Sequence, residues 1–417
     1  MKKLLTLSFL VMFLIGTDTF LVSPLLPALS VQMSFPIAQG GWLVSAYAIG
    51  YCVAAIIIGP LSDELNRRNV LITGVFLFSI ATMACAAATS FSMLLILRFI
   101  TGICAAIGSP QIWAIIPQLV HKDKIAAVMS APTAGLTIAT MLGVPIGSFL
   151  SARDIHSPFL AVGGASFIVT LALALLFPHL PNTRSVAGHG TTTIQQSYAE
   201  NNHLGMRHFN VSHLRTHSSP SIILSLVGSY RRLFMNPQAR PYFLAYFIFQ
   251  IGNFAVMTFI ATWFAQAFGL NQTQIGLAVL IIGVGNCIGA FAGPLLTSRL
   301  AHGKLLLAGF CIYLAVYACL ASAPSIVVAC ILLSISYMVS GAIFPLFIER
   351  LQSLTTSQRG TVSTLSNITM YAGSTVAGFV GGPAMAHLPG FWGISILAFL
   401  CMLMSLLLWY RSKALTR

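Results

Sequence analysis

Ala134-Gly135-Leu136-Thr137-Ile138-Ala139-Thr140-Met141-Leu142-Gly143-Val144-Pro145 returns, without a gap, as Ala372-Gly373-Ser374-Thr375-Val376-Ala377-Gly378-Phe379-Val380-Gly381-Gly382-Pro383, with six of twelve positions identical. The two copies lie in the fifth and eleventh of twelve apolar runs, near residues 4–29, 39–62, 70–89, 93–118, 125–151, 158–178, 240–266, 273–298, 302–322, 324–348, 360–387 and 391–410. Each run has roughly the 20 residues that a helix needs to cross a ~30 Å hydrocarbon core. Gly59-Pro60-Leu61 at the end of run two and Gly293-Pro294-Leu295 at the end of run eight make a second match at equivalent run numbers. The chain therefore reads as an all-α integral membrane protein. Two six-helix repeats, 1–178 and 239–417, flank a polar loop over 179–238. Such repeats are a transporter architecture with its site near the midplane between halves.

Composition agrees. The 417 residues are 57% hydrophobic and 7% charged, with a mean hydropathy of +0.90, against roughly 25% charged residues in soluble domains. The net charge of +14 is a topogenic signal and not a nucleic-acid footprint. With the amino terminus in the cytoplasm, nineteen of the 21 Lys and Arg fall on the cytoplasmic side, which the positive-inside rule favours. Both termini are then cytoplasmic, and the basic loops face anionic lipid heads. Met1-Lys2-Lys3 and the run behind it read as a retained first helix, since the run continues through Pro24 and Pro27 with no small-x-small cleavage site. The eight cysteines all sit in apolar runs without a C-x-x-C pair and read as small packing residues.

The central loop holds six of the ten histidines: His179, His189, His203, His208, His213 and His217. No acidic or Cys ligand is interleaved with the last four, so a solvated linker is the reading, with no metal and no cofactor expected. Ser221–Phe234 has the pattern of a short amphipathic helix on the inner membrane surface.

Two charges interrupt the apolar runs at depth, Asp18 in the first and Arg98 in the fourth. A charge at the helix centre costs about 2.5–3.5 kcal/mol even on insertion scales, so such a residue marks a task or a partner.

The loop after run two, Gly59-Pro60-Leu61-Ser62-Asp63-Glu64-Leu65-Asn66-Arg67-Arg68, suits a charge latch: a glycine for close approach, an acid, then two arginines. It resembles the G-x-L-x-D-x-x-G-R-R/K signature of the major facilitator superfamily, matching at Gly59, Leu61, Asp63, Arg67 and Arg68. Asn66 replaces the usual Gly, the next-best residue for a left-handed turn. Run four, from Arg98 through Thr101, Gly102, Ala105 and Ala106, resembles the family's R-x-x-Q-G-x-G-A-A motif, with Thr101 for Gln and Cys104 for Gly. Run five resembles the antiporter motif, here Gly143-Val144-Pro145-Ile146-Gly147, in the form of the arabinose-efflux and purine-efflux branch of the drug:proton antiporters. Val144 between Gly and Pro departs from that motif.

The resemblance implies two bundles rocking about a central cavity lined by helices one, four, seven and ten, in a bacterial inner (plasma) membrane, working as a monomer on a small-molecule substrate and protons. Asp18 is then the expected proton-responsive acid, with Arg98 tuning it. Helical spacing puts Thr101, Ala105, Ser109 and Trp113 on the face of Arg98. It makes stripes of Tyr246, Gln250, Asn253 and Met257, and of Tyr337, Ser340, Gly341 and Phe344. Tyr47 and Tyr51, one turn apart in run two, are further candidates. Gly135, Gly143, Pro145 and Gly147 read as mechanics: close packing and a bend. H-E-x-x-H, G-x-S-x-G and P-loop patterns are missing and there are seven acids in all, which argues against an enzyme. The expected substrate is a neutral or singly charged amphipath, exported against protons, with import on the same fold as the alternative.

Overall fold

The computed structural model describes residues 2–121, 124–178, 231–355 and 359–412, with the side chains at 59–61, 63–64, 126–127 and 359–360 left outside the description. The histidine-rich stretch and most of the amphipathic segment fall outside these residues. Residues 231–235 are helical.

The described chain is built on twelve long helices. The first half holds α1 (Lys2–Gln32), α2 (Ile37–Glu64), α3 (Arg67–Cys85), α4 (Phe91–Leu119), α5 (Ile125–Ser151) and α6 (Ser157–Leu176). The second holds α7 (Ala239–Phe268), α8 (Gln272–Arg299), α9 (His302–Leu320), α10 (Ile326–Gln352), α11 (Arg359–His387) and α12 (Trp392–Arg411). Helix is what these sequences must form in lipid, because each backbone polar group has to be satisfied within its own segment. Polar caps close several ends: Ser90 accepts from the Met93 amide and Ser325 from the Val328 amide, Asn271 and Gln274 make a capping box, and Gly269 ends α7 at φ 64°.

Eleven of these helices are long and apolar enough to cross a membrane. The exception is α11, diluted by Ser363, Thr364, Ser366, Asn367, Thr369, Ser374 and Thr375. Its place explains its composition. α11 packs against α2 and α7, Ser366 and Ser374 are buried, and the Ser366 hydroxyl donates to the Val362 carbonyl at 2.8 Å. Protein, not lipid, surrounds much of this helix.

Each half has its own core, and the halves meet along α2–α11, α5–α8 and α1–α7. The repeat read in the sequence reappears as repeated packing. A methyl at Gly135 would run into the Phe9 carbonyl of α1, and one at Gly373 would crowd the Phe247 carbonyl of α7, at the same offset along the chain. Likewise Gly50 and Gly102 bring α2 onto α4, at the Phe99 and Tyr47 carbonyls. Gly289 and Gly341 bring α8 onto α10 at the Met338 and Asn286 carbonyls, again at one constant offset. That offset sets Gly293 opposite Ala54, so the Gly-Pro-Leu match lies out of register by more than a turn.

Gly143 and Gly147 of α5 continue the stripe of Gly135 onto α1, against Thr17 and the Leu21 side chain. The other face of α5 meets α8, where Gly276 lies over Ser148 and Pro145 and Gly283 over Met141. All eight cysteines are free, and Cys311 and Cys319 are exposed on α9 instead of packed inside.

Candidate functional site: a buried ion pair beside an inter-half cavity

α1 packs chiefly on α5 and α4 on α2 and α3, and the two intramembrane charges meet across the narrow approach of α1 to α4. Arg98 Nη1 donates to Asp18 Oδ2 at 2.8 Å, and Arg98 Nη2 donates to the Asp18 backbone carbonyl at 3.2 Å. Both side chains have 0% exposure. The pair is incompletely satisfied. Asp18 Oδ1 and Arg98 Nε have no hydrogen-bond partner among the described residues, and in a low-dielectric interior such unused capacity is costly. The guanidinium carbon lies 4.5 Å from the centroid of the Tyr47 ring, within cation–π reach. Behind the pair, the Thr101 hydroxyl donates to the Leu97 carbonyl at 2.8 Å and lies 3.7 Å from Cys85 Sγ of α3.

Next to the pair, where the halves join, is a small cavity with room for about one water molecule. It is lined from α1, α2, α7 and α11, by Thr19, Phe20, Ser23, Val44, Tyr47, Phe254, Met257, Thr258, Tyr371 and Ser374. No charged side chain lines it. Rings and hydroxyls dominate. The Thr19 hydroxyl is 3.1 Å from the Tyr47 hydroxyl, the Tyr51 and Tyr371 rings stack at 3.8 Å, and Tyr47 and Tyr371 lie 6.3 Å apart.

Of the expected lining, Met257 of α7 and Tyr47 of α2 reach this cavity, and the candidates on α4 and α10 have other neighbours. Thr101 faces α3. Ser109 donates to the Ala105 carbonyl and lies 3.0 Å from the Tyr51 hydroxyl. Gln250 is buried and donates to the Tyr246 hydroxyl at 3.0 Å, so these two partner each other. Asn253 and Ser340 are half-buried, Trp113 and Tyr337 pack on the core of their own half, and Phe344 is exposed, with its ring 6.5 Å from Tyr246. The physical reason is the closure of one end of the molecule. It presses α2 against α11 and leaves the faces of α4 and α10 to their own bundles.

That closure has named contacts. Ser23 donates to the Met257 and Thr258 carbonyls, the latter at 3.0 Å. Ser45 donates to the Thr375 carbonyl at 2.7 Å, and Asn286 Nδ2 donates to Thr140 Oγ1 at 3.1 Å. Gly41 sits against Gly378, and Gly382 against Ala38, too close for a side chain. All of these lie from mid-helix toward the end that carries the α1–α2, α5–α6, α7–α8 and α11–α12 connections.

At the opposite end, the α2–α3 loop departs from expectation. Asn66 is extended, at φ −68° and ψ 105°, and its side chain accepts from the Arg68 amide, so it caps α3 and does not make a left-handed turn. Arg68 donates to the Phe177 and Ala174 carbonyls at 3.2 and 2.7 Å, closing the C-terminal end of α6. The surroundings of Gly59 and the side chain of Asp63 lie outside the description, and with them the latch. Arg67 is half-buried in the first turn of α3.

Tyr371 went unnoticed in the sequence, although it directly precedes the repeated Ala372-Gly373. That position was the available signal. No cluster able to hold a metal occurs among the described residues.

Comparison with known proteins is consistent with this geometry. The family model described as Major Facilitator Superfamily matches residues 8–378 and 242–416. An uncharacterized MFS-type transporter of Bacillus subtilis (strain 168), YceJ, is 38% identical over 376 residues, covering 90% of this chain and 87% of the relative. The 4-hydroxybenzoate transporter PcaK of Pseudomonas putida is 30% identical over 47% of this chain and 44% of its own. The solved nucleoside transporter NupG superposes with a TM-score of 0.74 at 16% identity, covering 100% of this chain and 99% of that one.

Proposed function

This chain belongs to the major facilitator superfamily, and from that premise we propose that it is a proton-coupled exporter of small amphipathic organic molecules. It is a multi-pass membrane protein whose relatives are transporters. The finer reading adds α11 as a twelfth span, both termini in the cytoplasm, the cell membrane as its location and a monomer as the working unit. The distribution of Lys and Arg supports that orientation, and the closed end then faces outward, with the cavity reached from the cytoplasm.

The observation that carries proton coupling is the incompletely satisfied Asp18–Arg98 pair beside the inter-half cavity. A carboxylate facing one arginine has two stable arrangements, charged and paired or protonated and released. The second state frees a buried cation, which must find new contacts. That differential interaction is what a coupled transporter needs in order to bias its two conformations. The Gly143-Val144-Pro145-Ile146-Gly147 segment of α5, packed between α1 and α8, supports export by its likeness to the antiporter motif. The uncharged lining of rings and hydroxyls suits a neutral or singly charged amphipath. Transporters of 4-hydroxybenzoate and of D-xylose among the relatives agree with a small organic cargo.

Everted membrane vesicles with an acidified lumen test the reading. Candidate compounds are added in turn, and substrate-dependent proton efflux is followed. The wild type should release protons with at least one compound, and Asp18→Asn should not. Gradient-driven transport undiminished in Asp18→Asn removes that residue from the mechanism. Co-directional movement of protons and compound would replace export by symport.

A further inference from the structure

Tyr47 is the side chain through which the buried pair meets the cavity. Its ring carries the Arg98 guanidinium on one side at 4.5 Å. The same residue forms part of the cavity wall and stands 6.3 Å from Tyr371 of the other half. Its hydroxyl is 3.1 Å from Thr19, the residue after Asp18. Its backbone is held too: the Tyr47 carbonyl lies against Gly102, one turn beyond Arg98 on α4, where no side chain would fit. Cys85 and Thr101, 3.7 Å apart, stand beside the pair and do not line the cavity.

From this placement we infer that Tyr47 is the positioning residue that transmits the state of the Asp18–Arg98 pair to the contact between α2 and α11. The inference rests on the reading of Asp18 as the proton-accepting acid. When the carboxylate takes a proton, Arg98 loses its anionic partner and keeps two favourable contacts, the Asp18 backbone carbonyl and the ring face of Tyr47, of which the ring alone belongs to a helix outside the pair. The guanidinium then settles onto the ring, and the ring moves against Tyr371, which itself stacks on Tyr51. In the other direction, separation of α2 from α11 draws the ring away and leaves Arg98 to the carboxylate and backbone carbonyl of Asp18. Linkage makes the two effects equal in free energy. The titratable or charged groups around the ring are Asp18 from α1, Arg98 from α4, Tyr51 from α2 and Tyr371 from α11, and Cys85 from α3 faces the pair.

The test uses the full chain in lipid nanodiscs, with the proton as the only ligand. Spin labels on unnatural amino acids at positions 34 and 388 report the separation of the closed end. The infrared band of a protonated carboxyl reports Asp18, identified by its loss in Asp18→Asn. In the wild type, band and distance should change together with pH. In Tyr47→Met, which keeps bulk and loses the ring, the band should still titrate while the distance stops following it. Tyr47→Phe should restore the wild-type response. Tyr371→Met, which leaves the pair untouched, should lose the distance response as well and serves if Tyr47→Met does not fold. Distances that track pH in both Met variants as in the wild type overturn the inference. So does a wild-type band that titrates while the distance ignores it, an outcome that leaves proton coupling standing. A wild-type protein without any titrating Asp18 band removes both readings.

Discussion

The two halves share a packing framework and differ in what that framework carries. Glycines at repeated positions seat α5 on α1 and α11 on α7, α4 on α2 and α10 on α8. At the same offsets, Asp18 corresponds to Val256, Arg98 to Tyr337 and Tyr47 to Asn286. The charged machinery belongs to the first half alone, and the second half shows what the scaffold looks like without it. The comparison predicts that the scaffold folds without the pair. Replacing a buried ion pair by apolar groups of similar size is often neutral, whereas removing one partner is costly.

The largest expected effect comes from breaking that asymmetry on one side. Arg98→Tyr leaves Asp18 buried without a cation and should cost about 3–5 kcal/mol of stability, read as a lowered unfolding temperature in detergent. Asp18→Val combined with Arg98→Tyr copies the second half at both positions. The double variant should recover most of the lost stability, to within about 1–2 kcal/mol of wild type. It should fail to move protons with any compound. A double variant as unstable as the single one would mean that the halves are not interchangeable at this layer.

The framework was legible because its signals are local and periodic. Apolar run length gave the helices, and Ala134–Pro145 against Ala372–Pro383 gave the duplication. The ion pair was legible because Asp18 and Arg98 stand out against hydrocarbon-compatible neighbours. The cavity was not. Its walls come from residues such as Thr19, Ser23 and Tyr371, ordinary in composition, brought together by contacts between distant helices. Helical spacing also cannot tell a face that lines a cavity from one that packs on a neighbour, and it could not place Thr101 beside Cys85 or Gln250 on the Tyr246 hydroxyl. Asn66 was misjudged for a related reason: the same residue type serves a left-handed turn and a helix cap, and the position of the first α3 amide decides between them.

A medium effect tests the shared part of the comparison. Gly102→Ala and Gly341→Ala each push a methyl into the carbonyl of a neighbouring helix, Tyr47 in one half and Asn286 in the other. Overpacking of this kind costs about 1–3 kcal/mol, and the two variants should lose similar amounts if the framework is equivalent. Gly164→Ala is the control. Nothing lies within 4 Å of the added methyl, and the gain in helix propensity of about 0.8–1 kcal/mol should leave the protein as stable as wild type or slightly more so.

The smallest effect sharpens the comparison at the closed end. There the hydroxyls come from the first half and the carbonyls from the second: Ser23 of α1 reaches Met257 and Thr258, and Ser45 of α2 reaches Thr375. The repeat offsets set Ala261 and Val284 at the matching positions, so Ser23→Ala again copies the second half. Each accepting carbonyl sits within a helix, so losing the hydroxyl forfeits only a supplementary hydrogen bond. Such a bond is worth about 0.5–1.5 kcal/mol net. Because the contact exists in the closed arrangement, its loss should raise the open population by roughly five-fold per 1 kcal/mol, visible as a broader distance distribution between labels at 34 and 388. Ser45→Ala should shift it likewise, and the double variant additively, since the two serines hold different helix pairs. If either serine variant instead narrows the distribution, these hydroxyls hold the open arrangement, and the closed end is kept shut by the glycine contacts of α2 and α11 and the Asn286–Thr140 hydrogen bond.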